Sequence, residues 1–244
     1  METALQVNNL VKRYKESEAV KGISFSVPEN VVFALIGPNG AGKSTTLRIV
    51  ATILTPTSGT VKVFGLDVQK DSQEVRKIIS YLPEEAGAYK NLTGREYLDF
   101  MAGLYTSDSQ KQRQCVDFAC EITGLKDRLK DKVKTYSKGM TRKLLLARAV
   151  MTKPRLAILD EPTSGLDIIN AIEIRKMVRD LSRQGMSVLL SSHNMLEIEF
   201  LSDQVGIINK GVLVECGTAP ELKTKYGGSN LEEVFMKLAV GPKG

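Results

Sequence analysis

The residues Gly37-Pro38-Asn39-Gly40-Ala41-Gly42-Lys43-Ser44 have the types and spacing of a loop built to hold phosphate. Glycines let successive backbone N–H groups converge on phosphate oxygens with no Cβ in the way. A helix opening at the end of the loop adds the partial positive charge of its N-terminus. Lys43 supplies a point charge for β- and γ-phosphates, and the Ser44 hydroxyl can ligate Mg2+. A glycine-rich turn could carry the same letters, but the four fixed positions arise by chance in only about one in a hundred chains of this length. The apolar run Val31–Ile36 just before the loop puts it where such a loop belongs, between a buried strand and a helix.

A pair of acids follows a second apolar run, Leu156-Ala157-Ile158-Leu159. Asp160, at the carboxyl end of that run, is placed to hold Mg2+ through water. Glu161, next in the chain, is a candidate to polarise an attacking water. Two acids after a strand could also merely cap a loop. His193, the single histidine, directly follows the run Ser187–Ser191. A lone histidine is ordinarily a satisfied core residue, but strand ends beside a phosphate loop face the γ-phosphate, which favours a role in the site.

The elements that must position these groups alternate. Leu5–Val11, Ile23–Val27, Val31–Ile36, Thr60–Phe64 and Ile79–Leu82 read as strands, with helices starting near Lys43 and over Glu74–Ile79. From Thr93 the texture turns helical: Thr93 with Glu96 has capping-box spacing, and Tyr97, Phe100, Met101 and Leu104 recur at helical intervals. Helices continue over Cys115–Thr123 and Thr141–Met151, with Gly124 as a stop between them. Strand–helix alternation then resumes with strands over Leu156–Asp160, Ser187–Ser191, Val205–Asn209 and Val212–Glu215. Helices fall at Ile168–Ser182, Asn194–Leu201 and Leu231–Leu238. The pattern is an α/β nucleotide fold interrupted by a helical insert of roughly residues 90–154.

Composition agrees. The 244 residues carry 34 Lys+Arg against 28 Asp+Glu, a formal charge of +6, and are 42% hydrophobic, which excludes disordered and fibrous classes. The longest apolar stretches fall far short of the ~20 residues that span a bilayer, and Asn8, Asn9, Lys12 and Arg13 interrupt any signal-peptide core. Three cysteines and one histidine form no zinc set and read as reduced thiols. The basic stretch Lys126–Lys143 alternates with acids and apolar residues, so it reads as a solvated amphipathic surface, and no nucleic-acid partner is expected.

Asp160-Glu161-Pro162-Thr163-Ser164-Gly165-Leu166-Asp167 resembles the joined Walker B and D-loop of the ATP-binding cassette (ABC) ATPases. Gly37–Thr45 resembles their Walker A, with Thr45 its last residue, and Ser191-Ser192-His193 their switch histidine segment. The motifs come in family order over nearly the whole chain, which looks most similar to ATP-binding subunits of the ABC-2 type transporter group. Tyr136-Ser137-Lys138-Gly139-Met140 occupies the place of the signature Leu-Ser-Gly-Gly-Gln and departs from it at three of five positions. The retained Ser137 and Gly139 offer a hydroxyl and an unobstructed N–H at a helix start, though Ser137 could equally be a simple N-cap. Glu84 stands where the family usually has a Gln that touches Mg2+. A carboxylate is an equally hard ligand, while two solvated glutamates, Glu84 and Glu85, remain the alternative.

The resemblance implies a P-loop NTPase fold: a RecA-like core with a mostly parallel sheet, an antiparallel β subdomain and an inserted helical subdomain. It implies one nucleotide-binding domain over 1–244, ending in a short helical tail of about 218–244. ATP and Mg2+ are the implied ligands, with His193 on the γ-phosphate and Tyr14 stacked on adenine; a strand-edge tyrosine is the alternative for Tyr14. Two subunits, identical or different, would pair head to tail so that the signature of one closes on the nucleotide of the other. The partner implied is a separate integral-membrane permease, with this chain peripheral on the cytoplasmic face of the cell membrane and export the expected direction. Rival readings are a non-transport ABC ATPase acting on DNA or the ribosome and a regulatory nucleotide-binding module. The tandem cassettes or coiled-coil inserts of the first are missing from this sequence, and intact Glu161 and His193 speak against the second.

Overall fold

Every side chain of the strand Val32–Ile36 (β3) is buried, and alternate residues pack into different cores. Val32, Ala34 and Ile36 face one apolar cluster, and Phe33 and Leu35 the other, so both faces of the strand are covered. That is why its sequence is apolar without alternation. The computed structural model describes residues 2–240; the expected helical tail therefore runs past the described residues at 241–244.

β3 is central in a six-stranded sheet whose other strands are Ile79–Leu82 (β6), Leu156–Leu159 (β7), Ser187–Ser192 (β8), Gln204–Asn209 (β9) and Val212–Gly217 (β10). The spatial order is β10-β9-β3-β8-β7-β6, parallel except for the β9–β10 hairpin. A four-stranded antiparallel sheet packs beside it, built from Thr3–Tyr14 (β1), Ser17–Pro28 (β2), Ser58–Val63 (β4) and Leu66–Asp67 (β5) in the order β2-β1-β4-β5. Phe25 of β2 stacks on Phe33 of β3 with centroids 5.2 Å apart, joining the two sheets through one core. The first two strands are much longer than their apolar runs predict. Their outer halves pair as a hairpin in which Val20 is buried but most side chains are half-buried or exposed, so hydrophobicity marks them weakly.

The helix Lys43–Val50 (α1) leaves the end of β3, and Ser72–Ile78 (α2) leads into β6. Between β6 and β7 lie Gly94–Tyr105 (α3), Ser109–Thr123 (α4) and Lys138–Val150 (α5). The capping box opens α3 as its spacing predicts: Glu96 N donates to Thr93 Oγ1 at 3.1 Å, and Thr93 N to Glu96 Oε2 at 2.7 Å. Gly124 ends α4 in the left-handed conformation, φ 62°. The helix expected from Thr141 begins earlier, at Lys138, because Ser137 caps it by accepting from Met140 N at 3.2 Å. Ile168–Arg183 (α6) and Met195–Leu201 (α7) flank β8, and Ala219–Tyr226 (α8) and Leu231–Val240 (α9) follow β10. Among the described residues no helix is long and apolar enough to cross a membrane.

Candidate active site

Parallel strands bring their carboxyl ends to one edge, and the functional side chains gather where β3, β7 and β8 finish side by side. The loop after β3 lines a cleft of about 390 Å3 with residues 39–45, together with Ala19, Glu84 and Glu161. Gly42 precedes α1 with φ 105°, and a Cβ there would lie 2.5 Å from the Ala19 carbonyl oxygen, so only glycine fits. The Lys43 ammonium, 5% exposed, donates to the carbonyls of Gly37 at 2.7 Å and Pro38 at 3.2 Å. It also stands 3.4 Å from Glu161 Oε1, an ion pair buried on both sides.

The two neighbouring acids have different surroundings. Asp160 Oδ1 accepts from Ser44 Oγ at 3.0 Å and from Ser191 Oγ at 2.6 Å, while Oδ2 accepts from the Tyr81 hydroxyl at 3.3 Å. Burial pushes the Tyr81 phenol above its ordinary pKa; Arg48 opposes this and Asp160 adds to it, so the phenol keeps the proton it donates. Glu161 has a left-handed backbone, φ 48°, costly for a residue with a side chain. Its N–H donates to Ser191 Oγ at 2.9 Å. Its carboxylate lies between Lys43 and His193, whose Nδ1 is 2.8 Å from Oε2. With a carboxylate as acceptor, Nδ1 carries a proton; Nε2 is then an acceptor in the neutral ring and a donor to a ligand oxygen when the ring carries both protons.

The signature and D-loop residues form a second cleft of about 450 Å3, and Glu84 is the one residue that lines both. Glu84 Oε1 accepts from Ser164 Oγ at 3.1 Å. A Cβ on Gly139 would lie 2.0 Å from Asn170 Oδ1, and one on Gly165 would lie 2.2 Å from Lys138 Nζ, so the signature turn sits against the D-loop and the start of α6 through the ends of two side chains. Leu166 lines this cleft beside Lys138, and the Met140 N–H donates to the capping Ser137 Oγ. Asp167 caps α6, accepting from Asn170 N at 3.0 Å, which holds its carboxyl below the usual range. The structure thus gathers Lys43, Ser44, Asp160, Glu161 and His193 in one place and Ser137–Met140 with Ser164–Asp167 in another. Tyr14 belongs to neither cleft: it is 41% exposed at the end of β1, with the Lys12 ammonium 5.2 Å from its ring centroid.

Ser191, which the resemblance places in the switch histidine segment without a role of its own, donates to Asp160 and accepts from the Glu161 N–H. Two further contributors escaped the sequence. Tyr81 stands at the strand end facing Asp160. Arg142 lies within the basic stretch read as solvated surface, yet it is 8% exposed and donates into the loops that bear Glu84 and Glu161. A metal ion would have to rest on hard oxygens here. Among the described residues no three His, Cys, Asp or Glu side chains cluster for one, but the paired Ser44 hydroxyl and Asp160 carboxylate suit Mg2+ completed by phosphate and water.

Fold and cleft together define a P-loop nucleotide-binding protein. A family model described as ABC transporter matches residues 20–164, more than half of the chain. The linearmycin resistance ATP-binding protein LnrL of Bacillus subtilis (strain 168) is 38% identical over 227 residues, covering 93% of this chain and 73% of the relative. The daunorubicin/doxorubicin resistance ATP-binding protein DrrA of Streptomyces peucetius is 38% identical over 228 residues, covering 93% and 69%. A solved ATP-binding subunit of an ABC transporter superposes with a TM-score of 0.83 at 28% identity, covering 97% of this chain and 99% of the other. The chain belongs to the ABC transporter family, and the relatives it matches are ATP-binding proteins of that family.

Proposed function

We propose that the chain hydrolyses ATP as one half of a head-to-tail pair and thereby drives a separate integral-membrane permease in the direction of export. The observation that carries this reading is the Glu161 carboxylate, held between Lys43 Nζ at 3.4 Å and His193 Nδ1 at 2.8 Å on the wall of the phosphate-loop cleft. The resistance functions named for LnrL and DrrA support export. On this reading the whole chain, 1–244, is one nucleotide-binding domain with a helical subdomain of about 90–154 and a helical tail of about 218–244. It sits peripherally on the cytoplasmic face of the membrane.

Chemically, the loop N–H groups and the start of α1 would hold the β-phosphate, and Lys43 would exchange its carbonyl partners for phosphate oxygens. Ser44 and Asp160, and Glu84 from the opposite wall, are the groups that would hold Mg2+. Bound there, it would supply positive charge to the phosphate oxygens. Glu161 would take the proton of the attacking water. His193 Nδ1–H fixes the Glu161 carboxylate, and Nε2, with the ring carrying both protons, would donate to a γ-phosphate oxygen. The second copy would bring Ser137 and the Gly139 N–H to the same phosphate, with its Lys138 and Met140 framing the turn and its Ser164–Asp167 loop alongside. Tyr14 is assigned to the adenine face. The test is ATP turnover by the purified protein with Mg2+. Glu161→Gln is expected to lower kcat by about 100-fold or more while nucleotide binding persists; near-normal turnover in this variant would transfer the role to another group.

A further inference from the structure

A guanidinium buried in the middle of a protein usually faces a carboxylate, and Arg142 does not. Among the described residues no acid lies within ion-pair distance of it, and its five hydrogen bonds all end on backbone carbonyls. Nε donates to Pro162 O at 2.8 Å, and one terminal nitrogen to Glu84 O at 3.0 Å and Pro83 O at 3.4 Å. The other terminal nitrogen reaches Asp160 O at 3.3 Å and also Glu161 O. Three successive carbonyls of the loop after β7 and two from the loop after β6 therefore converge on one rigid, planar fork. Those loops bear Glu161 and Glu84. The fork itself is carried by α5, the helix that Ser137 caps.

The convergence matters most at Glu161, whose φ of 48° is one that a residue with a side chain holds only where its surroundings determine it several times over. Its N–H is tied to Ser191, its carboxylate to Lys43 and His193, and its carbonyl to Arg142. Release of the carbonyl would let the peptide relax toward an ordinary conformation and swing the carboxylate away from its two partners.

We infer that Arg142 is a positioning residue: from the signature helix it holds the backbone of Glu161, and with it the neighbouring Glu84 loop, in the geometry that hydrolysis needs. The inference rests on the reading of the chain as an ATPase. It adds that the competence of Glu161 depends on the placement of α5, the helix whose first turn would serve the opposite nucleotide. Burial lowers the pKa of the guanidinium, with Glu84, Asp160 and Glu161 acting in the other direction, as expected of a cation spent on dipoles rather than on one paired acid.

The test compares wild type, Arg142→Lys and Arg142→Met. Lysine keeps the charge but has no fork to span both loops, and methionine keeps much of the length without donors. In both variants kcat should fall by about 30-fold or more with KM for MgATP changed less than about threefold, since misplacing a group in the chemical step costs rate rather than binding. Amide hydrogen exchange on the nucleotide-free proteins should quicken in segments 83–86 and 160–166 while 144–150 stays protected. If Arg142→Met does not fold, Arg142→Lys decides alone. Unchanged kcat in a folded variant overturns the inference. So does failure of both variants to fold, or loss of protection throughout the chain, because each reduces Arg142 to a packing role. Absence of turnover in wild type would instead remove the ATPase reading, and the exchange pattern would still decide whether Arg142 pins the two loops.

Discussion

Asp160 and Glu161 are adjacent in the chain, yet their neighbours assign them different work. Asp160 accepts hydroxyl donors from Ser44, Ser191 and Tyr81, a setting that keeps an acceptor-rich carboxylate pointed at a metal position. Glu161 instead faces a lysine and a histidine, a setting suited to receiving and passing on a proton. Ser191 is the shared support, fully buried, donating to one acid and accepting from the backbone of the other. Ser191→Ala would strand a buried N–H and remove a donor from Asp160. It should cost about 1–3 kcal/mol in urea unfolding, and turnover should fall with it. A variant as stable and as active as wild type would reduce Ser191 to strand filler.

The start of α5 shows one element under two demands. Within its own chain Gly139 packs against the Asn170 side chain of α6, which would have to shift to admit a Cβ. The proposed role in a partner's site asks for the same empty space around its N–H. Gly139→Ala should destabilise the protein by about 1–3 kcal/mol through overpacking. Adding Asn170→Ala should recover most of that loss in thermal unfolding. If turnover stays low in the double variant, the second demand is real; if turnover returns with stability, the glycine serves α6 alone.

At the scale of the whole molecule, the phosphate-loop cleft and the signature cleft open separately and share Glu84 in their walls. One chain thus presents two halves of a site, and head-to-tail pairing of two chains would complete both. Specific activity should therefore rise with protein concentration in the dilute range and then level off. An equal mixture of Lys43→Ala and Ser137→Ala chains, each inactive alone, should regain about a quarter of the wild-type activity, since half of the randomly formed pairs carry one intact site. Flat specific activity where sizing shows only monomer would count against pairing.

The amino-acid sequence by itself determined what depends on neighbours along the chain. The phosphate loop, the capping box at Thr93, the left-handed stop at Gly124 and the strand ending just before Asp160 are all written in contiguous residues, because each is a local backbone geometry with its own side-chain requirements. Strand order and the pairing of β1 with β4 rest on hydrogen bonds between backbones far apart in the chain, which any sequence of suitable polarity can supply. Arg142 marks the boundary most clearly. Its place in a basic, amphipathic stretch reads as a solvated face, since periodicity tells which side of a helix a residue is on but not what covers that side. Only the tertiary structure brings five carbonyls onto it, and a carbonyl, carried by every residue alike, leaves no trace in the sequence.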